Sequence, residues 1–116
     1  MNRIQQYLYD ILKAVSRIQT YTNEGEEYFH DDSKTQDAVI RNFEVIGEVV
    51  KRIPKEMLAK YPEVPWQDVS GFRDVLIHDY DMVDLYEVWW VVEHDLPTLR
   101  KAIEALLAHL TAEDVE

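Results

Sequence analysis

Apolar residues recur along this chain at intervals of three and four. Ile4, Leu8, Ile11, Val15 and Ile18 form the first such series, with Leu12 beside it. That spacing lays them along one stripe of an α-helix and predicts a first helix from Asn2 to Thr22. Asn23, Glu24 and Gly25 read as stop and turn residues. Ser33 precedes Gln36 at capping-box spacing, which predicts the start of a second long helix. Its apolar positions are Val39, Phe43, Ile46, Val50 and Ile53. Gly47 inside it costs about 1 kcal/mol against alanine, so close approach of another helix is the expected reason. Pro54 ends this helix or opens a short one reaching Tyr61.

Pro62 and Pro65 bracket a loop before Trp66. From Trp66 to His78 the pattern predicts one or two short helical turns around Gly71. Leu85, Trp89, Val92, Leu96, Leu99, Ile103, Leu106 and Leu110 then hold the helical spacing over a long last block. Pro97 is expected to kink or restart that helix near Asp95. The polar tail, Thr111 to Glu116, is expected to fray. The most strand-like run, Val88 to Val92, shares the helical phase of its neighbours. The prediction is an all-α, antiparallel bundle of four to five helices, in a single domain over residues 1–116.

Composition narrows the chemistry. The chain has no cysteine, which excludes a disulfide scaffold, a zinc ribbon and a thiol nucleophile together. Lys and Arg number 12 against 23 Asp and Glu, a net charge of −11. A general nucleic-acid-coating role needs the opposite sign, so any RNA contact must rest on a local patch. The longest apolar run is five residues, against the ~20 of a membrane span, and Met1–Asp10 is too polar for a leader. The expected location is the cytoplasm, with no membrane partner. His30, His78, His94 and His109 make no i, i+4 pair, and there is no glycine-rich phosphate loop. Neither a metal nor a cofactor is expected.

One segment concentrates capable side chains: Gly71-Phe72-Arg73-Asp74-Val75-Leu76-Ile77-His78-Asp79-Tyr80. Residues five apart point about 140° away from each other in a regular helix, so Arg73 and His78 do not share a helical face. Either the helix ends before His78, or the two groups meet through a second copy of the chain. A two-fold axis beside the segment would gather two guanidinium and two imidazole groups around one cleft. Such a cleft suits phosphodiester chemistry: the imidazole moves protons and the guanidinium holds phosphate oxygens as charge builds. Taken singly, Arg73 reads as an ion-pair partner, His78 as a helix C-terminal residue and Tyr80 as a packing residue.

Arg73, four residues, His78, one residue and Tyr80 resemble the R-x4-H-x-Y signature of the HEPN superfamily in its HepT-like branch. The flanks agree. Thr35-Gln36-Asp37-Ala38-Val39-Ile40-Arg41-Asn42 with Ile46-Gly47-Glu48 resembles the family's second helix. Tyr61-Pro62-Glu63-Val64-Pro65-Trp66 resembles its proline–tryptophan loop. Val83-Asp84-Leu85 and Asp95-Leu96-Pro97 resemble the start of its last helices. The resemblance covers Ile4 to Leu106. It implies a dimeric helical bundle and a metal-independent endoribonuclease toxin, with Arg73 and His78 catalytic in a cleft at the dimer interface. It also implies an antitoxin partner, an MntA-like nucleotidyltransferase that silences the toxin by transferring AMP to Tyr80. Asp74 stands where the family more often has a polar residue such as Asn, and its charge makes the cleft less welcoming to phosphate. The alternative is a non-catalytic subunit that presents RNA or nucleotide to such a nucleotidyltransferase.

Asp37, Arg41, Glu44 and Glu48 follow each other at spacings of four, three and four. They read as a solvated face with ion pairs, or as a polar seam supporting Arg73 and His78. Trp66, Trp89 and Trp90 read as packing residues; Trp90 lies about 100° off the apolar stripe and is expected to face a partner subunit. Glu24, Glu26, Glu27, Asp31 and Asp32 read as a solvated loop, or as a surface for a basic antitoxin.

Overall fold

The computed structural model describes the backbone of residues 1–78 and 83–115, with the side chains of 1–72 and 83–112. Six helices occur in order among them: α1 (Arg3–Tyr21), α2 (Glu26–Asp31), α3 (Ser33–Val50), α4 (Lys55–Leu58), α5 (Trp66–His78) and α6 (Leu85–Val115). The described residues contain no strand. Four long helices carry the architecture, and α2 and α4 are short braces. No helix among the described residues is long and apolar enough to cross a membrane.

The three-and-four spacing becomes the core. Leu8, Ile11, Val15 and Ile18 of α1 are fully buried. Val39, Phe43, Ile46 and Val50 of α3 meet them, with Leu96, Leu99, Ile103 and Leu106 of α6 closing the third side. Each such side chain contributes about 1.5–3 kcal/mol on leaving water. α1 lies between α3 and α6, while α5 packs against α3. α1 and α6 run antiparallel: Arg100 donates to Ser16 Oγ at 2.5 Å, while Tyr9 shares a shallow surface groove with Thr111 near the C-terminal end. Gly47 is buried on α3, the helix that serves both α1 and α5.

The helix boundaries follow local chemistry. Asn2 caps α1 through a reciprocal box: its side chain accepts from the Gln5 amide at 2.8 Å, and its own amide donates to Gln5 Oε1 at 3.0 Å. The second long helix is capped by Asp32 instead of Ser33. The Asp32 carboxylate accepts from the Thr35 amide at 3.1 Å and from the Thr35 hydroxyl at 2.6 Å. The hydroxyl bond, first of all, holds the Asp32 carboxyl below its usual range. Gln36 donates to the carbonyls of Phe29 and His30 and ties α2 down. This helix ends at Val50, short of Ile53, although Ile53 stays buried.

The acidic segment expected as a loop folds into α2. Gly25 supplies its entry with φ +98°, a left-handed conformation that glycine adopts without a Cβ clash. Phe29 then enters the core at 0% exposure. The helix expected to restart near Asp95 continues through Pro97. Pro97 is solvent-exposed, and the buried stripe on either side outweighs the ~3 kcal/mol cost of an interior proline. The tail expected to fray is helical to Val115. The Thr111 hydroxyl donates to the Leu107 carbonyl at 2.9 Å there.

Candidate functional site

Trp66 to His78 forms one continuous helix of 13 residues, not the one or two short turns expected. The indole of Trp66 donates to the Tyr61 carbonyl at 3.0 Å and anchors its start. Phe72 meets Phe43 of α3 edge-on, with ring centroids 5.4 Å apart. Arg73, Asp74 and His78 belong to the helical backbone, while their side chains lie outside the described residues. Tyr80 lies outside them altogether.

Of the two alternatives of the sequence, the first, a helix that ends before His78, is not what α5 shows. The helix does not end before His78, so helical register separates positions 73 and 78 by about 140°. Position 78 follows Gly71 by seven residues and shares its stripe to within about 20°. Position 73 is turned away from that stripe.

Of the four spaced polar positions of α3, Glu44 and Glu48 are partly buried. Asp37 and Arg41 are exposed. Arg41 pairs with Glu44 at 3.5 Å, and Arg52 pairs with Glu48 at 3.1 Å. Exposed pairs of this kind contribute little to stability. Among the described residues no three His, Asp or Glu side chains gather as metal ligands. His30 lies 3.4 Å from Glu26, and its ring rests 4.3 Å from Tyr86 at the start of α6.

A groove of about 550 Å³ opens between α5 and α6. Phe43, Ile46, Leu96 and Leu99 form its floor, with Phe72 on one wall and Trp90 on the other. Trp89 is buried and bonds Glu93 through its indole N–H. Trp90 is 52% exposed and stacks on His94 at 4.4 Å. Asp68, Glu87 and Asp95 also line the groove. The periodicity of the sequence did not find this feature. Only Trp90, off the apolar stripe, hinted at it.

Burial pushes the Asp95 carboxyl above its ordinary value of 3.8; nearby His94 opposes the shift and Asp68 adds to it. The folded chain therefore holds this proton more tightly than the unfolded chain. Ionised Asp95 costs stability near neutrality, and the cost disappears as pH falls below 3.8. Asp95→Asn should raise the Tm at neutral pH, with a gain that shrinks in acid. Thermal unfolding across that range checks it; a neutral-pH loss of stability would contradict it.

The chain matches the family model described as "Ribonuclease HepT-like" over residues 11–106. It belongs to the ribonuclease HepT-like family. This HepT-like chain is 44% identical over 101 residues to a Thermococcus cleftensis protein named as a probable ribonuclease HepT, covering 86% of this chain and 92% of that one. It is 40% identical over 112 residues to a Methanocaldococcus jannaschii protein provisionally named an RNase, covering 96% and 93%. A similarly named protein of Caldanaerobacter subterraneus is 38% identical over 82 residues, covering 71% and 72%. No solved structure matches the HepT-like chain.

Proposed function

We propose that this chain is a metal-independent endoribonuclease toxin whose active cleft forms between two copies. The observation that carries the reading is the unbroken α5, which reaches His78 inside the region matched by the family. One copy alone turns positions 73 and 78 apart, so a shared substrate calls for groups from two copies around a two-fold axis. His78 takes the proton of a ribose 2′-hydroxyl as that oxygen attacks the adjacent phosphorus. The bond to the 5′-oxygen breaks, that oxygen receives a proton, and a cyclic phosphate remains. Arg73 holds the phosphoryl oxygens while their charge rises.

Silencing rests on the motif tyrosine. A nucleotidyltransferase antitoxin transfers AMP from ATP to the Tyr80 hydroxyl, two residues beyond His78, and the bond to the β-phosphate breaks to release pyrophosphate. The added phosphate repels RNA and its bulk blocks the cleft. A net charge of −11 and Asp74 beside Arg73 favour a second reading, a non-catalytic RNA- or nucleotide-binding subunit of that transferase.

Digestion of total RNA by the purified, unmodified chain with chelator present separates the two. The ribonuclease reading expects cleavage that stops once co-expression with the transferase has added AMP, seen by intact mass. Stable association with the transferase but no cleavage by the unmodified chain would support the second reading instead.

A further inference from the structure

The groove between α5 and α6 has a role that the cleavage proposal does not assign, and four observations describe what would fill it. Phe43, Ile46, Leu96 and Leu99 beneath it are buried, while Phe72 and Val91 are partly exposed along it and Trp90 stands half exposed at the edge. A volume of about 550 Å³ accommodates the few apolar side chains that one face of a docked helix presents. Gly71 widens it: a Cβ built there meets no described residue within 4 Å. An interior helix glycine costs about 1 kcal/mol against alanine, and neither a left-handed φ nor a close neighbour among the described residues requires it at this position.

The fourth observation is charge. Asp68, Glu87 and Asp95 line the groove, and no Lys or Arg does so among the described residues. Asp68 and Asp95 act on each other unfavourably, a situation that an arriving cation relieves. A second copy seated symmetrically in this groove would set these carboxylates against their own counterparts. RNA phosphates would meet the same repulsion. The complementary surface is apolar and positively charged.

We propose that this groove docks a partner protein through an amphipathic helix, apolar on one face and edged with lysine or arginine. Leucine- or phenylalanine-sized side chains pack against Phe72, Val91 and Trp90 and pass beside Gly71. The flanking cations pair with Asp68 and Asp95. Docking is measured without RNA and without cleavage, so its outcome is read separately from the ribonuclease reading.

The test uses the full chain and a short labelled helical peptide of leucine and lysine, followed by fluorescence anisotropy at physiological salt. The matching leucine–glutamate peptide is the control. The leucine–lysine peptide should bind and its control should not. Gly71→Met fills the groove without changing charge and should weaken binding by about tenfold or more. Asp68→Asn with Asp95→Asn should do the same. Asp10→Asn with Glu104→Gln, an equal charge change on α1 and α6 outside the groove lining, should leave affinity within about twofold. Equal loss in that remote pair reduces the effect to overall charge and overturns the proposal. Undiminished binding by folded Gly71→Met also overturns it, as does Gly71→Met turning a dimer into a monomer while the peptide still binds. Should Gly71→Met unfold, the two charge pairs still decide.

Discussion

His78→Ala should abolish RNA cleavage while the chain remains helical and keeps its oligomeric state. A positioned imidazole contributes about 10²–10⁴-fold to proton transfer, and alanine leaves neither a base nor an acid. Arg73→Ala should lose activity to a similar degree through the phosphate. Arg73→Lys should recover only part of it, because an ammonium cannot grip two phosphoryl oxygens as a planar fork does. Both positions lie in the last two turns of α5, after its contacts at Trp66 and Phe72, so circular dichroism should show little loss of helix. Cleavage of a labelled RNA, with chelator present, is the readout. Activity of His78→Ala equal to wild type would remove the proposed mechanism.

Phe29→Ala should destabilise the fold by about 3–5 kcal/mol, the range for truncating a fully buried phenylalanine. Phe29 has 0% exposure, and its ring lies 5.5 Å from that of Trp89. It is the one core residue of α2, and its carbonyl accepts from Gln36 at 2.9 Å. Losing the ring therefore empties a site where α2, α3 and α6 converge. Tyr28→Ala, one residue earlier and 46% exposed, should stay within about 0.5 kcal/mol of wild type. Urea unfolding of the two variants gives the comparison. A small effect at Phe29 would mean that α2 is a loosely attached brace.

The long helices were legible because their apolar residues repeat with the helix itself. From Leu8 to Ile18, and again from Val39 to Val50, every predicted stripe position is buried. The misreadings share one physical origin: a local signal competing with tertiary packing. Glu26 to Asp32 carries many charges and looked like a solvated loop, yet a single aromatic, Phe29, gains enough from burial to fold it into helix. Ser33 and Asp32 both offer a capping oxygen, and the carboxylate, which bonds both the amide and the hydroxyl of Thr35, takes the role. Pro97 signals a break, but the buried residues Leu96 and Leu99 hold α6 together around it.

The candidate chemistry was legible in another way. Arg73, His78 and Tyr80 stood out by residue type and spacing, and α5 supplied what spacing alone left open, namely that helix runs through His78. The acidic groove had no such signature. Asp68 and Asp95 belong to different helices, and no short-range pattern links them before the chain folds.

Mixing two inactive variants tests the central claim most directly. Arg73→Ala dimers and His78→Ala dimers are dissociated, combined in equal amounts and allowed to re-associate. If the guanidinium of one copy works with the imidazole of the other, half of the random dimers are mixed and each regains one of two sites. Activity should then rise from background to roughly a quarter of wild type. If the mixture stays as inactive as its components while mass spectrometry shows the mixed dimers present, the two groups do not act across copies and the account fails.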